Sequence, residues 1–252
     1  MSFLSDVVLT AVCLSLVFAS MAFGIARGRR VKAESKPEHE HLGTIQSALL
    51  GLLALLLGFA FAGAMGRFVD RQDALAREAN AIGTAYDRAG LVPAPDSLRA
   101  NIRQYVAIRL ELFRERSAAK EAEIIRRLDE RYHAVLQQAL GEASHSPALA
   151  NLLVTGMEAI DNELSARNAI NRRHLPLEFI LIMIVSCCVS MATVGYGVGI
   201  AERRSVGNAY TLAALVGVTL CMTLDFDRPS QGLIQIDPAP LLELAEKVGV
   251  NR

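Results

Sequence analysis

Tryptophan is absent from the 252-residue chain, and aromatic residues of any kind make up only 6% of it. Anchoring at a membrane interface, often the task of Trp, would therefore rest on Tyr196, Tyr210 and the arginines that flank the apolar runs. Charge of one sign is also missing. The 26 basic and 26 acidic residues cancel, which excludes the clustered basic excess of a nucleic-acid surface. The four cysteines, Cys13, Cys187, Cys188 and Cys221, all lie in apolar runs, and the polar region has none. That placement reads as packing by a small polarizable side chain, and adjacent Cys187 and Cys188 do not suit a bridge to each other. It leaves the redox compartment open. Catalytic signatures are missing as well: the chain has no phosphate loop, nucleophile elbow or HExxH pattern. His39 and His41 in PEHEHLG form an H-x-H pair without further ligands beside it, so a solvated loop is the favoured reading. His133, His145 and His174 sit in unrelated contexts. No catalytic, cofactor-binding or metal-binding residue is expected, and the chain does not read as an enzyme. An alternating strand pattern, an internal repeat and a low-complexity tract are absent too.

What is present is segregation. The sequence is 52% apolar and 21% charged, with a mean hydropathy of +0.31. Apolar spans joined to a polar domain produce such values; an ordinary soluble domain does not. Four uncharged runs approach or exceed the roughly 20 helical residues that cross a bilayer core: Val7 to Ala26, Leu42 to Gly66, Phe179 to Ala201 and Ser205 to Leu224. The first does not read as a convincing cleavable signal and is expected to be a span, because its basic cluster follows the apolar run and no Lys or Arg precedes it. The uncharged interiors exclude the intramembrane ionisable group that a proton-coupled transporter usually carries.

The expected organisation is an all-α integral membrane protein. Residues 1–66 hold the first two spans, 67–174 form a helical soluble bundle, 175–224 hold spans three and four, and 225–252 form a C-terminal tail with a short helix. The inserted segment is helical throughout by its spacing. Span two continues without a proline to about Ala89, where Gly90 and the prolines of LVPAP stop it. Asp96 is the expected N-cap of a helix whose apolar face is Ile102, Tyr105, Val106, Leu110 and Phe113. The next amphipathic face is Ile124, Ile125, Leu128, Tyr132, Val135, Leu136 and Leu140; the last, opened by Ser146 and Pro147, is Leu149, Leu152, Leu153, Met157, Ile160 and Leu164. The first-helix charge bias, with Arg27, Arg29, Arg30 and Lys32 after span one, places the short loops in the cytoplasm and the insert across the membrane from them.

Span two carries a second pattern. Ser47, Gly51, Ala54, Gly58, Ala62 and Gly66 form a stripe of small residues at helical spacing, the mark of a close helix–helix interface in lipid. Two readings stand at even weight: tight packing within one four-helix bundle, or an oligomeric pore with an apolar neck, which can gate by dewetting.

The phrases LLLGFAFAGAMGRFVDRQ, EANAIGTAY and LDFDRPSQGLIQIDPAPLLEL carry a resemblance. The first resembles the pore helix of bestrophin-type anion channels, and the other two are similar to a bacterial bestrophin-like family. The resemblance implies a homo-oligomer, a pentamer, in the bacterial inner membrane, with multiple passes and with the second span lining a pore for small inorganic ions, anions above all. It places Gly51, Leu55, Phe59 and Ala62 on the pore face, and it places the insert in the cytoplasm, against the charge bias. This chain departs from the pattern in having only Phe68 after Arg67, and in an acidic segment reduced to Asp225 and Asp227, too few oxygen ligands for calcium. Arg67, Glu78, Asn80 and Thr84 are the candidate residues at the pore exit or the domain joint. For Glu78, Asn80 and Thr84 the blander reading, local pairing and packing, is favoured. Asp225, Asp227 and Arg228 form a candidate C-terminal latch, after which Asp237 caps a short helix starting at Pro238. The partners expected are the lipid bilayer, further copies of the chain and small ions, with no nucleic acid. The competing reading is a non-conducting scaffold or sensor whose helical insert binds a partner.

Overall fold

The computed structural model describes residues 3–34, 40–115, 117–144, 147–201, 206–227 and 234–250. Within them the chain forms helices and connecting turns: α1 (Phe3–Glu34), α2 (Glu40–Ala89), α3 (Pro95–Arg114), α4 (Ala118–Ala143), α5 (Pro147–Asn171), α6 (Leu177–Ile200), α7 (Val206–Asp227) and α8 (Ala239–Val248). Four of these, α1, α2, α6 and α7, are long and apolar enough to cross a membrane. The chain divides into two compact units, Met1–Val69 with Arg173–Gln235, and Asp70–Arg172 with Ile236–Arg252. The 50-residue α2 contributes to both.

The first unit is built around α1 and α6. On α1 the buried residues Cys13, Val17, Met21 and Ile25 recur every fourth position, and on α6 Met183, Cys187 and Met191 do the same. The two helices meet at backbone distance through Gly24 and Gly28 on one side and Gly195 and Gly199 on the other. A Cβ at any of the four would run into main-chain atoms of the facing helix: Ala192 and Tyr196 for Gly24, Met21 and Ile25 for Gly195. These paired small-x-x-x-small patterns are the close-approach device of membrane helices, and here they join α1 to α6. From α2 the inward residues are Leu53, Leu57, Ala60 and Ala64, and from α7 they are Ala209, Ala213 and Leu220. Thr193, Thr211, Thr219 and Thr223 donate their hydroxyls to carbonyls four residues back, so these polar groups are satisfied inside apolar helices. Gln46 of α2 donates to the Thr193 carbonyl of α6 at 2.9 Å. Tyr210, an expected interface anchor, stacks on Phe18 with centroids 6.2 Å apart.

In the second unit, residues Leu75, Ala79, Ile82, Ala85, Tyr86 and Ala89 of α2 pack with α3, α4, α5 and α8. The face expected for α3 is found, but its cap differs: Ala94 is the N-cap, Pro95 opens the helix and Asp96 lies in the first turn. Pro at the first helical position, where an N–H would be unpaired in any case, makes a side-chain cap dispensable. On α4 Ile125 and Leu140 are exposed, and the buried set is Ile124, Leu128, Val135 and Ala139. The spacing of four from Leu128 selects Ile124 over its neighbour. Ser146 lies outside the described residues.

Asp237 accepts from the Ala239 amide at 2.9 Å, but the N-cap of α8 is Pro238 and the helix starts at Ala239, one residue later than expected; it ends at Gly249 in the left-handed conformation that favours glycine. Leu241, Leu244, Ala245 and Val248 of α8 are buried in this core. Arg103 reaches over to clamp the helix end, donating from Nε to the Val248 carbonyl and from Nη2 to the Tyr86 hydroxyl, both at 2.8 Å.

Candidate functional site

On α2 the inward positions Leu53, Leu57, Ala60 and Ala64 fix where everything else on the helix points. Gly51, Leu55, Phe59 and Ala62 fall on outward faces, with Leu55 55% and Phe59 67% exposed. Ser47, Ala54, Gly58 and Gly66 are exposed too. No atom outside the helix's own neighbourhood lies within 4 Å of where a Cβ would stand on Gly51, Gly58 or Gly66. The small-residue stripe of span two is therefore not spent on packing within this chain. Close helix approach uses the glycines of α1 and α6 instead, which sequence reading passed over although Gly24/Gly28 and Gly195/Gly199 each repeat at the same spacing of four. The outward face carries no charge from Gly51 to Gly66, and Arg67 ends it.

Around Arg67 a polar knot forms within the first unit. Arg67 Nε donates to Asp227 Oδ1 at 3.0 Å, and the Leu175 amide donates to both Asp227 oxygens at 3.1 Å. His174 Nδ1 lies 3.2 Å from the Asp227 carbonyl and 3.5 Å from its Oδ2. Asp227 is buried, and its neighbour Phe226 takes Phe68 and Phe61 edge-on at centroid distances of 5.4 and 5.6 Å. One carboxylate thus ties the charged end of the α2 apolar stretch to the last residue of α7 and to the turn that enters α6. Asp225 Oδ2 accepts from the Ile234 amide at 2.8 Å and fixes the chain beyond the helix. Arg228, grouped with these two by sequence, lies outside the described residues, as does His39. Among the described residues no cluster of His, Cys, Asp or Glu could hold a metal ion.

Glu78, Asn80 and Thr84 stand apart in the second unit. Asn80 and Thr84 are exposed, and the Thr84 hydroxyl donates to the Asn80 carbonyl of its own helix at 2.9 Å. Glu78 is fully buried. Its Oε1 accepts from Arg109 Nε at 2.6 Å, and its Oε2 accepts from Arg109 Nη2 at 3.1 Å and from Arg167 Nη1 at 3.0 Å. Burial alone pushes the Glu78 carboxyl up, but the charges and hydrogen bonds of the two guanidiniums outweigh it and hold the carboxyl below the usual range. Burial draws the Arg167 guanidinium down from its ordinary value, with Arg109 adding to the shift and Glu78 opposing it. Tyr105 is raised, by burial first and then by the Glu78 charge.

The inward placement of Arg109 and Arg167 is missed when their helix faces are read only for apolar members and Arg167 only as a charge flanking the spans. Arg109 follows Ile102 by seven residues and Tyr105 by four, and Arg167 follows Ile160 by seven. The periodicity that finds core residues therefore marks both as inward.

The bestrophin-like domain model matches residues 7–241. This chain belongs to the bestrophin-like family. Among solved structures the bestrophin-like fold is shared with a point mutant of a bacterial bestrophin homologue from Klebsiella pneumoniae. The match covers 92% of this chain and 97% of that one, with a TM-score of 0.65 and 14% identity, a likeness of fold. No curated protein matches the sequence. In this bestrophin-like chain the candidate residues expected from the sequence fall in three places: the open face of α2, around Asp227, and at Glu78 with its exposed neighbours Asn80 and Thr84.

Proposed function

We propose that this protein is the subunit of a homo-oligomeric channel in the bacterial inner membrane, which passes small anions along an axis lined by α2. The observation that carries this reading is the outward, uncharged and unpartnered face of α2, with Leu55 and Phe59 exposed and no chain atom against Gly51, Gly58 or Gly66. In a ring of copies that face would supply an apolar neck, where narrowness and wetting control passage. Family membership supports the same reading. The Asp227 knot would hold the charged end of the neck helix against the bundle, with Arg67 drawing anions toward it. Its guanidinium and amide donors fix the carboxylate in place.

Purified protein in planar bilayers is expected to show discrete conductance, increased by Phe59→Ala or Leu55→Ala as the neck widens. Silence of the wild type and both variants, with the oligomer intact, would favour the scaffold reading.

A further inference from the structure

We propose that the end of α1 binds the headgroup phosphate of an anionic phospholipid through Arg27, Arg29 and Arg30. The three follow the apolar run of α1 on one uninterrupted helix, Phe3–Glu34, and all three are exposed. Met21 and Ile25, with Gly24 and Gly28, fix the inward side of this segment against α6. Phe23 is exposed on the outer side, one turn before Arg27 and two before Arg30.

Nothing in the chain answers these charges. Among the described residues, Arg27, Arg29 and Arg30 make no ion pair and no side-chain hydrogen bond. By contrast, Arg67 pairs with Asp227, Arg77 with Glu163 and Arg167 with Glu78, and Arg71 and Arg173 are engaged as well. The chain has no acidic residue between Asp6 and Glu34. On α6, whose Gly199 faces the Arg29 backbone, no charged residue follows Glu178.

Uncompensated cations at the end of a membrane helix select an anion held at the same depth. Tyr196 of α6 meets Gly24 and Gly28 through its backbone, so the interface anchor expected from the sequence stands level with the arginines. Headgroup phosphates lie at that level, and guanidinium forks bind phosphate bidentately. A zwitterionic headgroup brings its own cation and leaves the arginine charge unanswered. Each basic residue at an anionic membrane surface contributes roughly five-fold in affinity. The site rests on α1 crossing a bilayer and does not depend on conduction.

Because the chain has no tryptophan, Phe23→Trp introduces a single fluorophore one turn from Arg27. The full-length variant is reconstituted in phosphatidylcholine bilayers that contain an equal mole fraction of either dibrominated phosphatidylglycerol or dibrominated phosphatidylcholine. Phosphatidylglycerol is expected to quench the indole at least about five-fold more effectively. The excess should vanish when Arg27→Gln, Arg29→Gln and Arg30→Gln are added, and in high salt. Equal quenching by the two lipids, or an excess that survives the triple substitution, would overturn the proposal. Quenching by neither lipid would mean that this face of α1 does not meet the bilayer, and would overturn it too. Should the triple variant fail to insert, high salt decides on Phe23→Trp alone, and an excess that persists there counts against the site.

Discussion

At the scale of single residues, Glu78 governs the second unit's stability. Its carboxylate pairs with the wholly buried Arg109 and the partly buried Arg167, and removing one partner of a buried pair typically costs about 3–5 kcal/mol. Glu78→Gln should therefore lower stability by that order at neutral pH. The pH dependence follows from the direction of the shift. The folded-state carboxyl lies below its ordinary value of 4.5. The stabilisation is therefore complete above that value and is lost as the pH falls through the depressed folded one. Melting temperatures of wild type and Glu78→Gln should differ most near neutrality and converge as the pH falls from the ordinary value of 4.5 through the depressed folded one. A constant gap down to pH 3 would mean that Glu78 is not the titrating group. Surface pairs such as Arg126 with Glu123 and Glu130 are exposed, and their loss should change little.

At the scale of elements, glycine separates two kinds of helix surface. Gly195→Ala puts a methyl group against the Met21 and Ile25 backbone, where no side chain can rotate out of the way. The α1–α6 crossing must widen, at a cost of about 1–3 kcal/mol. Gly51→Ala meets no atom of its own chain, and gains about 0.5–1 kcal/mol of helix propensity. Thermal unfolding of the two variants should thus move in opposite directions. Equal destabilisation by both would mean that Gly51 is packed in the assembled state as tightly as Gly195.

Much at this scale could be read from sequence. The apolar runs, the uninterrupted course of α2 to Ala89, the face of α3 and, apart from the exposed Leu152, the face of α5 follow from period and breakers. What could not be read is which small residues meet which. Glycine spacing alone does not say whether its partner lies in the same chain, and the α2 stripe and the α1–α6 glycines have the same signature. The N-cap of α3 was misplaced for a related reason: an acidic residue in a first turn and an acidic cap look alike until the backbone is known.

At the scale of the whole molecule, the open face of α2 and membership of the bestrophin-like family predict a symmetric assembly of several copies. Images of purified particles should show a ring, five-fold by the likeness read from sequence, with an opening on its axis. A monomer or dimer without one would remove the pore reading.

The glycine seam of α1 and α6 has a consequence for how this sequence can vary. Gly24, Gly28, Gly195 and Gly199 face backbone and not side chains, so no compensating change in a neighbour's size can make room for a larger residue. Only a shift of a whole helix would do so, and that disturbs the other three positions together. Single substitutions at these positions are therefore closed off, although most core sites admit a larger residue once a neighbour shrinks. Drift in sequence should spare these four positions while the apolar residues around them exchange freely.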